Sequence, residues 1–165
     1  MLKKIISGCQ TGADRAGLIA AKACGLETGG YVCTKNKTEL GYEPELIDIY
    51  QLSELNTFDY PKRTLANVNA ADATWIFYRN KLEKGSLLTR TYCDKLKKNC
   101  MALDISEDYS HKRPITNEGY LLYWLERFNT VEVLNIAGNR ESVAPGIQQE
   151  VIELLTKVFK NVRLV

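Results

Sequence analysis

The chain has 165 residues, enough for one domain with a real core and too few for two. A hydrophobic share of 45%, a charged share of 25% and a net charge of +2 describe ordinary globular composition and exclude a global basic field for nucleic acid. No apolar run approaches the roughly 18 residues of a membrane-spanning helix, and "MLKKII" runs straight into "SGCQ" without a secretory segment, so a cytoplasmic protein with no membrane or nucleic-acid partner is expected.

Short β-favouring runs alternate with helical runs. Residues 4–7 read as a buried strand and 14–24 as a helix that is apolar nearly all round and therefore covered on both sides, with Gly25 as its C-cap. A second strand is predicted over 30–34, then a polar loop over 34–48 long enough to be a lid, and an edge strand over 50–52. Pro61 opens a helix over 62–71, and "TWIFY" is a strand over 74–78. A helix over 86–97, a strand over 100–103, a helix capped by Thr116 or Asn117 and ending at Phe128, a strand over 131–137 and a final amphipathic helix over 146–160 complete the order. Such alternation predicts a single α/β domain over 1–165: a Rossmann-like, open, mainly parallel sheet with helices on both faces.

The five cysteines are widely spaced with no C-x-x-C pair, which argues against a disulfide framework and a zinc site. Cys24, Cys93 and Cys100 sit in apolar settings and read as small core residues. A Cys9 nucleophile would need the single histidine, His111, which lies in the polar run "DYSHKRP" and is expected to be exposed. No protein-held metal is expected.

Three strand-to-helix junctions share one chemistry. "ISGCQTGADR" follows the first strand, "KGSLLT" follows "TWIFY", and "GNRES" follows "EVLNIA". Each offers a glycine, a hydroxyl and free amides near a helix N-terminus, a set suited to an anion at the C-terminal edge of the sheet. The first fits neither the dinucleotide fingerprint nor the phosphate loop, because no Lys follows Gly12. Asp14 in a first helical turn has an ordinary role as a dipole partner, whereas Arg15 there opposes the dipole and points to a ligand or an acidic neighbour. Arg63 and Asn67 share a helix face with Thr64 beside them, and Arg140 could clamp a phosphate.

The segments "ISGCQTGADRAGLIAA", "KRTLANVNAADATWIF", "KGSLLT" and "LNIAGNRES", in that order, resemble the molybdenum carrier family, within the nucleotide-binding superfamily that includes the lonely-guy (LOG-like) phosphoribohydrolases. The resemblance implies a domain that binds a nucleotide or the phosphorylated pterin of molybdenum cofactor, usually as a homo-oligomer. It implies a first binding loop of Gly8, Cys9, Gln10, Thr11, Gly12, Asp14 and Arg15, a flank of Arg63, Thr64 and Asn67, a phosphate turn of Gly85, Ser86 and Thr89, and a last wall of Gly138, Arg140 and Ser142. Cys9 replaces a usual glycine, Ser86 a Gly or Thr, and Asn139 a usual proline. The catalytic Glu that follows the glycine turn of the phosphoribohydrolases is missing after Gly85, which leaves Asp14, Arg15 and Glu141 as the catalytic candidates if hydrolysis occurs. Three functions stay open: a carrier of a phosphorylated ligand, a nucleotide hydrolase, and a ligand sensor.

Overall fold

The computed structural model of the protein describes residues 1–106 and 115–162; His111 lies outside them. In chain order come β1 (Lys4–Ile6), α1 (Ala13–Ala23), β2 (Glu27–Gly29), β3 (Tyr31–Val32), β4 (Lys37–Thr38), β5 (Gly41–Tyr42), α2 (Glu45–Tyr50) and β6 (Ser53–Glu54). There follow α3 (Tyr60–Ala70), β7 (Ala73–Tyr78), α4 (Lys84–Lys95), β8 (Asn99–Asp104), α5 (Asn117–Arg127), β9 (Val133–Gly138) and α6 (Ile147–Val162). The main sheet has five parallel strands in the order β2-β1-β9-β7-β8.

The α/β Rossmann-like class expected from the alternation is what the chain forms. Along β7 and β9, Trp75, Phe77, Leu134 and Ile136 enter the main apolar core with residues of α1, α5 and α6. The alternate residues Thr74, Ile76 and Asn135 turn to the opposite face, where α3 and α4 pack. Helix α1 is covered twice, as its apolar circumference predicts: Ala16 and Ala20 join the main core, and Leu18 packs with Cys9, Val32, Tyr50 and Leu52.

One feature of the order was invisible in the sequence. The last strand, β9, sits at the centre of the sheet between β1 and β7. Counting from β9 through β1, β2, β7 and β8 turns the order into 3-2-1-4-5, that of a Rossmann half-sheet. The order therefore reverses between β9 and β7, and a ligand is expected in the crevice beyond their C-terminal ends.

The segment between β2 and α3 corrects three expectations. The strand predicted over 30–34 is divided: β2 ends at Gly29, Gly30 turns at φ 125°, and β3 pairs with β6 off the main sheet. The predicted loop over 34–48 is a short 3-10 turn, the β4–β5 hairpin and the start of α2. The edge strand expected over 50–52 is displaced to β6, because Tyr50 ends α2 and Gln51 caps it in the left-handed region. No described helix is long and apolar enough to cross a membrane. Cys24 and Cys93 are buried and Cys100 half-buried, and the Cys93 and Cys100 thiols hydrogen-bond to each other between α4 and β8.

Candidate functional site

A cavity of about 280 Å³ opens at the crevice between β9 and β7. Its walls are the turn after β1 (Gly8, Gln10, Asp14), the face of α3 (Tyr60, Arg63, Thr64, Asn67), the start of α4 (Glu83 to Ser86, and Thr89) and the turn after β9 (Gly138 to Arg140). The three glycine turns thus converge.

Asp14 is the buried acid of this cavity, 7% exposed at the start of α1. Its carboxylate accepts the backbone N–H groups of Gln10 and Gly138, and Arg63 Nη2 lies 3.8 Å away. Burial nevertheless dominates these favourable partners and pushes its pKa up to about 6. Arg63 lies across Gly8, donating from Nη1 to the Gly8 carbonyl at 3.1 Å. A Cβ on Gly8 would stand 2.6 Å from the guanidinium carbon, so the glycine is what lets this arginine rest on the turn. The Arg63 Nε has no hydrogen-bond partner.

The start of α4 is differently made. Its Ncap is Glu83, with no side-chain cap, so the first-turn N–H groups are left for other partners. Gly85 has no positive φ, and a Cβ added there would meet nothing within 4 Å. The fold makes no demand for glycine at this position, and the space beside its backbone is open. Ser86 is 3% exposed and its hydroxyl is unpartnered. Across the cavity Asn139, 2% exposed, donates its N–H to Phe77 O at 2.9 Å while its Oδ1 has no partner. Buried polar atoms are nearly always satisfied, so Ser86 Oγ, Asn139 Oδ1 and Arg63 Nε together suit a polar guest.

Several residues named from the sequence stand elsewhere. Arg15 forms a bidentate pair with Glu43, at 2.6 and 3.1 Å, and also reaches Cys9 O at 3.4 Å. It meets an acidic neighbour, not the cavity. Burial opposes the charge on Glu43, but the hydrogen bonds from Arg15 and Thr38 hold its carboxyl below the usual range. Because both side chains of this pair are largely buried, Glu43→Gln is expected to lower stability by about 2 kcal/mol. Urea denaturation measures this; ligand affinity should not move.

Cys9 turns its thiol into the small apolar cluster beneath α1, where burial pushes it up to about 11. The thiol therefore faces away from the cavity expected to hold it, and such a thiol is a poor nucleophile. Glu141 accepts from Gly146 N and Gln148 N at 2.5 and 3.0 Å and so holds the start of α6, not a reacting group. Thr11 and Ser142 both donate their hydroxyls to Glu39. Gly12 acts through its backbone, donating to Gln148 Oε1 at 3.1 Å. Within the cavity, Asn67 bonds both the N–H and the carbonyl of Tyr31, at 2.9 and 2.8 Å, which makes it a staple for β3. Thr64 and Thr89 donate back to Tyr60 O and Gly85 O inside their helices.

Glu83, Tyr60 and Glu39 are not among the residues expected from the sequence, and Lys84 enters there only as the first residue of "KGSLLT". Lys84 and Glu83 flank the glycine turn and were available from position alone. Glu39 carried no signal, since its partners lie 28 and 103 residues away.

The family model of the circularly permutated YpsA SLOG family matches residues 5–159. The chain belongs to that family. The permutation in its description agrees with the strand order, in which the last strand takes the central place of a first one. Among solved structures, the chain is similar to a "Putative molybdenum carrier protein" from Syntrophus aciditrophicus SB. The two are 37% identical, with a TM-score of 0.82 over 96% of this chain and 94% of that one. No curated protein matches. The resemblance to the molybdenum carrier and LOG-like proteins, read from four segments, therefore holds across the whole SLOG domain.

Proposed function

We propose that the cavity binds a phosphorylated small molecule, with the phosphate on the first turn of α4. The observation that carries this reading is the buried, unpartnered Ser86 hydroxyl beside the open backbone of Gly85. A helix N-terminus of this kind favours an anion through its free N–H groups and dipole. Arg63 and Arg140 add positive charge at the rim. The similar Syntrophus protein is described as a molybdenum carrier; the phosphorylated pterin of molybdenum cofactor is one ligand that meets these requirements, and a nucleotide is another. Molybdenum carried with the pterin would be held by the pterin itself. Lys84, Gly85 and Ser86 would hold its phosphate; the bound group would supply redox chemistry to a recipient.

Two measurements test the reading. Mass spectrometry of the purified protein should find a phosphorylated compound, and AMP should bind by calorimetry. Gly85→Val fills the space a phosphate needs and should weaken AMP at least about tenfold, without moving the melting temperature of the free protein. Unchanged affinity in that variant would remove α4 from the site.

A second reading, nucleotide hydrolysis, is favoured by Asp14. It is a buried acid whose pKa of about 6 suits general acid work at neutral pH. Glu83 is the other carboxylate lining the cavity. Breaking an N-glycosidic bond would need Asp14 to protonate the departing base while water adds to the sugar carbon. Release of free base from AMP, lost in Asp14→Asn, would establish it.

A further inference from the structure

The loop after β9 takes the place that the first strand-to-helix turn has in an unpermuted sheet, where dinucleotide-binding proteins seat a phosphate. In this chain the donors of that loop converge on one of the protein's own carboxylates. Glu39, at the tip of the β4–β5 hairpin, accepts the Ser142 N–H at 3.2 Å and the hydroxyls of Ser142 and Thr11. Arg140 Nη1 lies 3.9 Å from Glu39 Oε2. Burial disfavours the charge there, but these partners hold the Glu39 carboxyl below its usual range. Two hydroxyls, a backbone amide and a guanidinium around one anion make a cradle of the type phosphates occupy.

The hairpin tip is separable from its base. The base is fixed by the Arg15–Glu43 pair, by Thr38 donating to Glu43, and by Asn36 Nδ2 donating to Glu43 O. The tip has polar contacts: those of the Glu39 carboxylate, the Glu39 N–H on Gln10 Oε1 at 3.0 Å, and local turn bonds. Leu40 and Tyr42 beside it are 70% and 56% exposed, so no apolar packing holds the tip down. Arg140 belongs to both places, since it lines the main cavity and faces Glu39.

We propose that this cradle is a second anion subsite, joined to the main cavity through Arg140, which Glu39 occupies until the second anionic group of a ligand such as a diphosphate displaces it and lifts the hairpin tip. The inference rests on the phosphate-binding reading and narrows the ligand class to molecules with two linked anionic groups. A phosphate oxyanion offers the same donors more charge and more acceptor sites than a carboxylate, while the released Glu39 regains water.

The test uses inorganic pyrophosphate and AMP with the wild-type protein and Glu39→Gln. Neutralising the occupant at nearly constant volume should tighten pyrophosphate by roughly tenfold or more, the scale of a lost charge-assisted contact, and tighten AMP, which meets only Arg140 of the cradle, much less. Equal or weaker pyrophosphate binding in the variant overturns the proposal. In the wild-type protein, pyrophosphate should speed chymotryptic cleavage after Leu40 and Tyr42, at the lifted tip; unchanged or slower cleavage there overturns it even where Glu39→Gln folds poorly. Pyrophosphate effects without AMP binding would sink the α4 phosphate site and keep the cradle. AMP binding without pyrophosphate effects would do the reverse.

Discussion

Asp14→Asn is expected to make the ligand-free protein more stable at pH 7, by about 1–3 kcal/mol. Asp14 has a pKa of about 6 in the folded chain against an ordinary 3.8, because burial outweighs Arg63 and two backbone N–H donors. The folded state therefore binds more protons than the unfolded state between about pH 4 and pH 6, and stability falls as pH rises through that window. Protonated Asp14 contributes fully below the unfolded pKa and has lost its advantage above the folded one. Two units correspond to about 3 kcal/mol. Asn removes the ionisation but puts an NH₂ group where an oxygen accepted, which returns part of the gain. Urea denaturation at pH 4.5 and pH 7 should show the wild type losing stability with rising pH and the variant staying level. A variant less stable at pH 7 would mean that the Arg63 pair outweighs burial. Functionally, removing a negative charge beside the anion site should keep or tighten phosphate binding while stopping any base release. That pair of results would favour the hydrolysis reading over the carrier reading.

The parts of this site that were legible in the sequence are those governed by local rules. Gly138 turns at φ 156°, with Phe77 O 2.0 Å from where a Cβ would stand, and a glycine after an apolar strand signals such a turn. "TWIFY" alternates Trp75 and Phe77 to one face and Thr74 and Ile76 to the other, so strand and orientation follow from composition. The cavity is the meeting of three such junctions. What stayed hidden depends on partners distant in the chain. Arg15 opposes the helix dipole and needed a ligand or an acid; that the acid is Glu43 follows from how the segment between β2 and α3 folds back. That segment has no period, and its short strands pair outside the main sheet. Cys9 stands between residues that line the cavity, but its own side chain does not. Its positive φ of 53° turns the thiol under α1, where Leu18 and Val32 receive it. The central place of β9 was hidden for another reason: strand order is decided by which edges are free when the chain returns, and no local propensity records it.

Gly12→Val is the substitution with the most severe expected outcome. Gly12 is the Ncap of α1, at φ 78° and ψ −134°, a region that side chains bearing a Cβ essentially do not enter. A Cβ there would stand 2.3 Å from Asn139 O and 2.8 Å from Arg140 C and Glu141 N. All three are backbone, so no rotamer change relieves the contact. Asn139 O is also the acceptor for Ala13 N at 3.1 Å, so pushing it away breaks the bond that ties the start of α1 to the turn after β9. Backbone strain of about 1–3 kcal/mol adds to overpacking of similar size. Together they approach the whole stability of a small domain, about 5–15 kcal/mol. Circular dichroism and urea denaturation should find a loss of at least about 4 kcal/mol or no cooperative transition, and ligand binding lost as a consequence. A normally stable Gly12→Val protein would show that the two turns part at this junction at little cost. Gly85→Val is the contrast: its Cβ enters open space, so the same valine should spare stability and report on the phosphate alone. Loss of stability at Gly12 and loss of affinity at Gly85 would separate the glycine that builds the crevice from the glycine that leaves it open.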